Sequence, residues 1–202
     1  MSNKKFSALL IGDSISLSYR EFVKFLLKDN FEIFYPPENG RMAAYTFRAL
    51  YEWSRDFHWA KDTNFVYWNN GLWDVVRIFG DEPQTPLKDY EILIGRTFDR
   101  LKYLFPQAVI IFATSTAVVE SRFDKEIFYR SNEDIQKYNE VAAKVILNKG
   151  GVVHDLNKLT RQFPEAAWED STHFVLQARQ ILADQVATLL KNFSAPKLGL
   201  AI

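Results

Sequence analysis

The stretch Lys5-Phe6-Ser7-Ala8-Leu9-Leu10-Ile11-Gly12-Asp13-Ser14-Ile15-Ser16 decides how the chain is read. From Phe6 to Ile11 it is an apolar run with the length of a buried strand. It stops at Gly12-Asp13-Ser14, small residues that tolerate a sharp turn. Apolar residues then recur at Phe22, Val23, Phe25, Leu26 and Leu27, which predicts a helix over 18–27. A serine at a strand-to-helix turn stands at the carboxyl end of a sheet strand, where open α/β sheets take their ligands. Helix N–H groups beside it can hold an anion. Serine is also a favoured helix cap, so this stretch alone leaves Ser14 between a cap and a group that faces a crevice.

Working outward, the same alternation repeats. Strands are expected over 31–35, 64–68, 108–113 and from 152 to 156. Helices are expected over 42–57, 87–105, 132–148 and 174–192. Residues 77–86 and 120–131 read as irregular loops, and 194–202 as a surface tail. Strand and helix in turn, about five times over, mean a parallel sheet with helices on both faces. Right-handed crossovers put every strand's carboxyl end on one edge. On that edge fall Gly12-Asp13-Ser14, Asn39-Gly40, Asn69-Asn70-Gly71 and Thr114-Ser115. No linker divides the 202 residues, which read as a single α/β domain.

Composition narrows the partners. Lys plus Arg equals Asp plus Glu at 25 each, so the net charge is zero. Nucleic acid and anionic membrane surfaces both favour a basic excess and are not expected as main partners. No apolar run reaches the length of a membrane span, and the run after Lys5 is too short for a signal-peptide core. Cysteine is absent, which excludes thiolate and disulfide chemistry. The expectation is a cytoplasmic protein. Aromatic residues make up 15 % of the chain. Most of the aromatics are expected in the core; Trp53, Trp68 and Trp73, with Arg41, fall near the presumed mouth of a crevice, so for these tryptophans core packing and a crevice wall are both open.

A serine hydroxyl needs a base to take its proton, and an acid behind that base fixes its tautomer. The chain has three histidines. His58 follows a helix and reads as a packed or surface residue. His154 follows Val152-Val153 on a strand, and its neighbour Asp155 faces the other way, so it reads as a hydrogen-bonded core histidine. His173 is preceded by Asp170 three residues earlier. The turn Asp170-Ser171-Thr172-His173 can return the carboxylate to one ring nitrogen while the other faces Ser14. The competing reading is that Asp170 and His173 cap the last helix. No histidine has a second ligand at helical spacing, so no metal is expected.

Taken in order, Gly12-Asp13-Ser14, Gly40, the Asn69-Asn70-Gly71 block and Asp170-x-x-His173 resemble the SGNH hydrolases, also called GDSL-type esterases and lipases. The resemblance spans nearly the whole chain. It implies a flavodoxin-like three-layer α/β/α sandwich and ester hydrolysis through an acyl-enzyme, without a cofactor. It assigns Ser14 as nucleophile, His173 as base and Asp170 as its orienting partner. It also implies an oxyanion hole built from the N–H of Ser14, the N–H of Gly40 and an asparagine carboxamide. Asn70 fits that last role with Asn69 in reserve; aligning Gly71-Leu72-Trp73-Asp74 with the family's Gly-x-Asn-Asp puts Trp73 there instead. Two further departures are Ile15 where the family has leucine and Ser171 where glycine is common. The Asn-Asn-Gly-Leu-Trp-Asp form resembles carbohydrate esterases of the superfamily, which points to a small, acetyl-type ester on a sugar. Acyl transfer to a sugar hydroxyl and a non-catalytic binding module are the alternatives.

Overall fold

The computed structural model describes residues 5–56 and 62–198. In chain order its elements begin with β1 (Phe6–Ile11), α1 (Ser14–Leu27), β2 (Phe31–Phe34), α2 (Ala43–Asp56), β3 (Phe65–Trp68) and β4 (Arg77–Ile78). They continue with α3 (Leu87–Leu104), β5 (Val109–Ala113), β6 (Phe128–Tyr129), α4 (Asn132–Asn148), β7 (Val152–His154), α5 (Leu156–Thr160) and α6 (Leu176–Leu198). The sheet runs β2-β1-β3-β5-β7, and every neighbouring pair in it is parallel.

A parallel sheet is covered on both faces, so its strands are apolar without alternation. Ala8 to Ile11, all of β3, and Ile110 to Ala113 are buried accordingly. Helices α1 and α6 pack together on one face, while α2, α3 and α4 pack in succession on the other. In α6, Ala178, Leu182, Val186 and Leu190 recur every four residues and are all buried, the stripe that a helix presents to a core. The result is a three-layer α/β/α fold. Its strand order reverses between β1 and β3, and a crevice opens beyond the carboxyl ends at such a switch point. Ser14 and the loop from Asn69 to Asp74 stand there.

Two expectations change. The last helix starts at Leu176 and continues to Leu198; Ser194 is buried and donates its hydroxyl to Lys191 O at 2.8 Å, so the chain is still helical where a surface tail was expected. The loops at 77–86 and 120–131 contribute β4 and β6, an antiparallel ribbon of two residues a side. Strands that short carry no readable period. His58 lies outside the described residues. No helix among the described residues is long and apolar enough to cross a membrane.

Candidate active site

The turn after β1 separates two roles that the sequence left joined. Asp13 caps α1, with its Oδ1 accepting the Ile15 N–H at 3.0 Å. Ser14 is therefore the first helical residue, and its hydroxyl is released from capping. Its N–H belongs to the set that a helix start leaves without an intrahelical acceptor. Burial pushes the Asp13 carboxyl upward, against the Ile15 N–H and the nearby Arg130 charge. Glycine is needed just before it, because a Cβ on Gly12 would lie 2.6 Å from the Cβ of Ser16.

At the far end of the chain a pinched turn carries the other two groups. Trp168 and Phe174 face each other in an antiparallel bridge, and the Glu169 N–H donates to His173 O at 2.8 Å. Their rings pack 5.1 Å apart, and Phe163 closes the cluster at 6.1 and 5.9 Å. This apolar clamp fixes the base of the turn. At its tip, Asp170 Oδ1 accepts the N–H groups of Thr172 and His173 at 2.6 and 2.7 Å. Helix α6 begins only at Leu176, so the carboxylate organises its own turn instead of capping a helix. Burial would raise the Asp170 carboxyl, but these N–H donors and the imidazole together hold it below its ordinary value.

The two ends meet. Asp170 Oδ2 lies 2.7 Å from His173 Nδ1, and His173 Nε2 lies 2.9 Å from Ser14 Oγ, although Ser14 and His173 are 159 residues apart. A carboxylate that accepts Nδ1–H leaves Nε2 as an acceptor for the serine proton. These groups border a cleft of about 320 Å³ whose walls also include Leu72, Trp73, Phe128 and Arg130. A larger recess of about 500 Å³, lined by Asn139, Glu140, Asp155 and Lys158 among others, shares no residue with it.

The expected oxyanion donors are a correction. The Gly40 N–H donates to Gly12 O at 2.8 Å, and a Cβ on Gly40 would stand 2.9 Å from that oxygen. Gly40 thus ties the turn after β2 to the turn after β1. Asn70 is fully buried: its amide donates to Arg41 O at 2.9 Å and Thr46 Oγ1 at 3.0 Å, while its oxygen accepts the Trp68 indole N–H at 2.6 Å. Asn69, the reserve, gives its amide to Ala113 O at 3.2 Å. None of these three borders the cleft. Trp73 does, and among the described residues its indole N–H has no partner. Trp53 and Trp68 are core residues at 2 % and 0 % exposure, so for these two the core-packing reading holds and only Trp73 lines the mouth. Arg41 is exposed and stacks over Tyr45.

Two further side chains complete the frame. Asp74 accepts the Ala43 N–H at 3.0 and 3.1 Å and so fastens the start of α2 to the loop after β3; burial raises its pKa to about 7. His154 Nδ1 lies 2.8 Å from the Tyr67 hydroxyl, and burial lowers its pKa to about 4, consistent with a neutral packed imidazole. Arg130 was not singled out by sequence. It sits in a loop segment with no motif around it, yet it is 6 % exposed and faces the cleft.

No protein-family model matches the sequence, and a search among curated proteins finds no relative. Solved structures do match. The acetyl xylan esterase AlAXEase superposes with a TM-score of 0.69 at 18 % identity, over 92 % of this chain and 100 % of that one. A lipase/acylhydrolase from Enterococcus faecalis gives 0.70 at 16 %, over 93 % and 96 %. A GDSL-like lipase from Bacteroides thetaiotaomicron gives 0.72 at 12 %, over 92 % and 88 %. At these identities the likeness establishes a shared fold, that of GDSL-like lipases and acetyl xylan esterases.

Proposed function

We propose that this protein is an SGNH-type serine esterase that removes a small acyl group, an acetyl above all, from a carbohydrate ester. The observation that carries the proposal is the hydrogen-bonded relay Asp170–His173–Ser14, with 2.7 and 2.9 Å links across the crevice at the switch point. Either helix cap alone would have no reason to meet the other.

The chemistry follows from the relay. Ser14 Oγ bonds to the acyl carbon as its proton passes to His173 Nε2, and the carbonyl π pair moves onto oxygen. Asp170 stays ionised and stabilises the imidazolium. The tetrahedral centre collapses, its C–O bond to the alcohol breaks, and the alcohol leaves with the proton from Nε2. Water then repeats the sequence on the acyl-Ser14: His173 takes its proton, the new C–O bond forms, and the carboxylic acid departs as Ser14 regains its proton. The Ser14 N–H stands at the start of α1, where the helix dipole favours a developing anion.

Three features support the substrate class. The cleft holds only about 320 Å³, enough for a short acyl chain. Trp73 offers an indole face in its wall, of the kind on which sugar rings pack. Two structural neighbours, AlAXEase and the Geobacillus stearothermophilus Axe2, are acetyl xylan esterases. The test is hydrolysis of p-nitrophenyl acetate and a panel of acetylated sugars by the wild type and by Ser14→Ala. Acetate release that depends on Ser14 is expected; full activity in the folded Ser14→Ala protein would falsify the nucleophile assignment.

A further inference from the structure

Of the oxyanion donors expected from sequence, Gly40 is committed to Gly12 and Asn70 to Arg41 and Thr46, which leaves the Ser14 N–H and the Trp73 indole N–H, unpartnered among the described residues, at the cleft. Both are neutral donors, and a full positive charge would hold the tetrahedral oxygen more strongly. Arg130 is the cation in its wall.

Its guanidinium is held on three sides. Nε donates to Leu72 O, the carbonyl just before Trp73. Nη1 donates to Thr172 Oγ1, the residue just before His173, at 3.4 Å. The plane lies over the Phe128 ring, 4.8 Å from its centroid. The group thus spans the cleft from the loop after β3 to the turn that carries the base, with Ser14 in the same wall. Nη2 has no partner among the described residues, and the side chain that carries it lines the cleft. A buried arginine held this firmly has lost its rotamer freedom and its hydration in the folded state, so aiming it during the reaction needs little reorganisation. Asp13 and Asp170 both feel its charge, which keeps the cation balanced before an ester arrives.

We propose that Arg130 is a catalytic residue: its free Nη2–H donates to the oxygen that becomes negative when Ser14 adds to the ester carbonyl. This assignment rests on the serine-esterase reading above. No bond to Arg130 forms or breaks; it contributes a charge-assisted hydrogen bond that strengthens as the oxygen gains charge.

The experiment first separates the two claims. Wild-type protein that neither hydrolyses p-nitrophenyl acetate nor takes a fluorophosphonate at Ser14 removes the esterase reading itself. With that reading standing, kcat and KM on the same neutral ester are measured for Arg130→Ala and Arg130→Lys, with circular dichroism as the check on folding. Arg130→Ala is expected to lose about 100-fold or more in kcat, the usual effect of removing one such donor, with little change in KM. Free guanidinium chloride, at concentrations too low to unfold the protein, should restore part of that loss, which repair of a merely structural role would not do. A folded Arg130→Ala within about threefold of wild-type kcat, or a folded, inactive one that guanidinium does not rescue, overturns the proposal. If Arg130→Ala does not fold, Arg130→Lys decides. Its ammonium cannot hold Leu72 O and the oxyanion together, so kcat should fall by about tenfold or more, and wild-type kcat overturns the proposal.

Discussion

Asp170→Asn is the sharpest perturbation of the site, because it turns one acceptor into a donor and changes almost no volume. Asp170 Oδ1 accepts two backbone N–H groups at 2.6 and 2.7 Å, and Oδ2 faces His173 Nδ1 at 2.7 Å. An asparagine has one oxygen and one NH2 to place on those two positions. With the oxygen toward the backbone it keeps two hydrogen bonds and points N–H at Nδ1. The flipped amide keeps one bond and sets its NH2 against two N–H donors. The first orientation also gains the N–H···Nδ1 bond, so at about 1 kcal/mol per net hydrogen bond it wins by about 2 kcal/mol. The turn therefore survives, but Nδ1 must become the acceptor. The ring proton then sits on Nε2 and faces Ser14, so the base cannot accept. The matching change in a serine protease lowers kcat about 10⁴-fold, equivalent to about 5.4 kcal/mol of barrier. Here kcat on p-nitrophenyl acetate should fall by a comparable factor, with KM and the thermal midpoint nearly unchanged. Activity within tenfold of wild type in the folded variant would refute the claim that Asp170 sets the tautomer.

Two other consequences can be measured. Asn70→Ala should act on stability: it leaves the Trp68 indole N–H, Arg41 O and Thr46 Oγ1 without their buried partner, at about 1–3 kcal/mol by denaturant titration. Its kcat should stay within about tenfold of wild type, short of the loss expected from an oxyanion donor. His154 titrates near 4 in the folded protein against an ordinary value of 6.5. The unfolded chain thus binds more protons between those values, so this group's stabilisation is complete above pH 6.5 and is lost as pH falls toward 4. The difference is at most about 3 kcal/mol, read as wild type minus His154→Gln. Asp74, raised from 3.8 to about 7, runs the other way over the whole of that range and cancels in the comparison.

Much of the architecture could be read from residue types, because the strands of a doubly covered sheet are unbroken apolar runs and its turns need small residues. Phe6 to Ile11 and 64–68 carry that signal directly. The meeting of Ser14 with His173 could be foreseen only as a possibility of topology; both residue types also suit helix caps, and only the position of Asp13 and the late start of α6 separate the roles. Asn70 misled for a physical reason. A carboxamide at a strand end looks available, but it is two residues from Trp68 on the same face of the chain, and its amide fills the gap beneath α2. For Trp53, Trp68 and Trp73 the core and the crevice wall both stay open in the sequence, because tryptophan serves either and its type does not say which. Arg130 left no trace, since a two-residue strand has no period and burial of an arginine depends on partners from Leu72 and Thr172 that are distant in sequence.

The central claim is that Ser14 is a nucleophile activated by His173. Its most direct test is reaction of the purified protein with a fluorophosphonate, followed by mass spectrometry of the tryptic peptide spanning 6–20. One adduct on Ser14 is expected, lost in Ser14→Ala and slowed at least about 100-fold in His173→Ala. An unlabelled wild-type protein, or equal labelling rates with and without the imidazole, would contradict it.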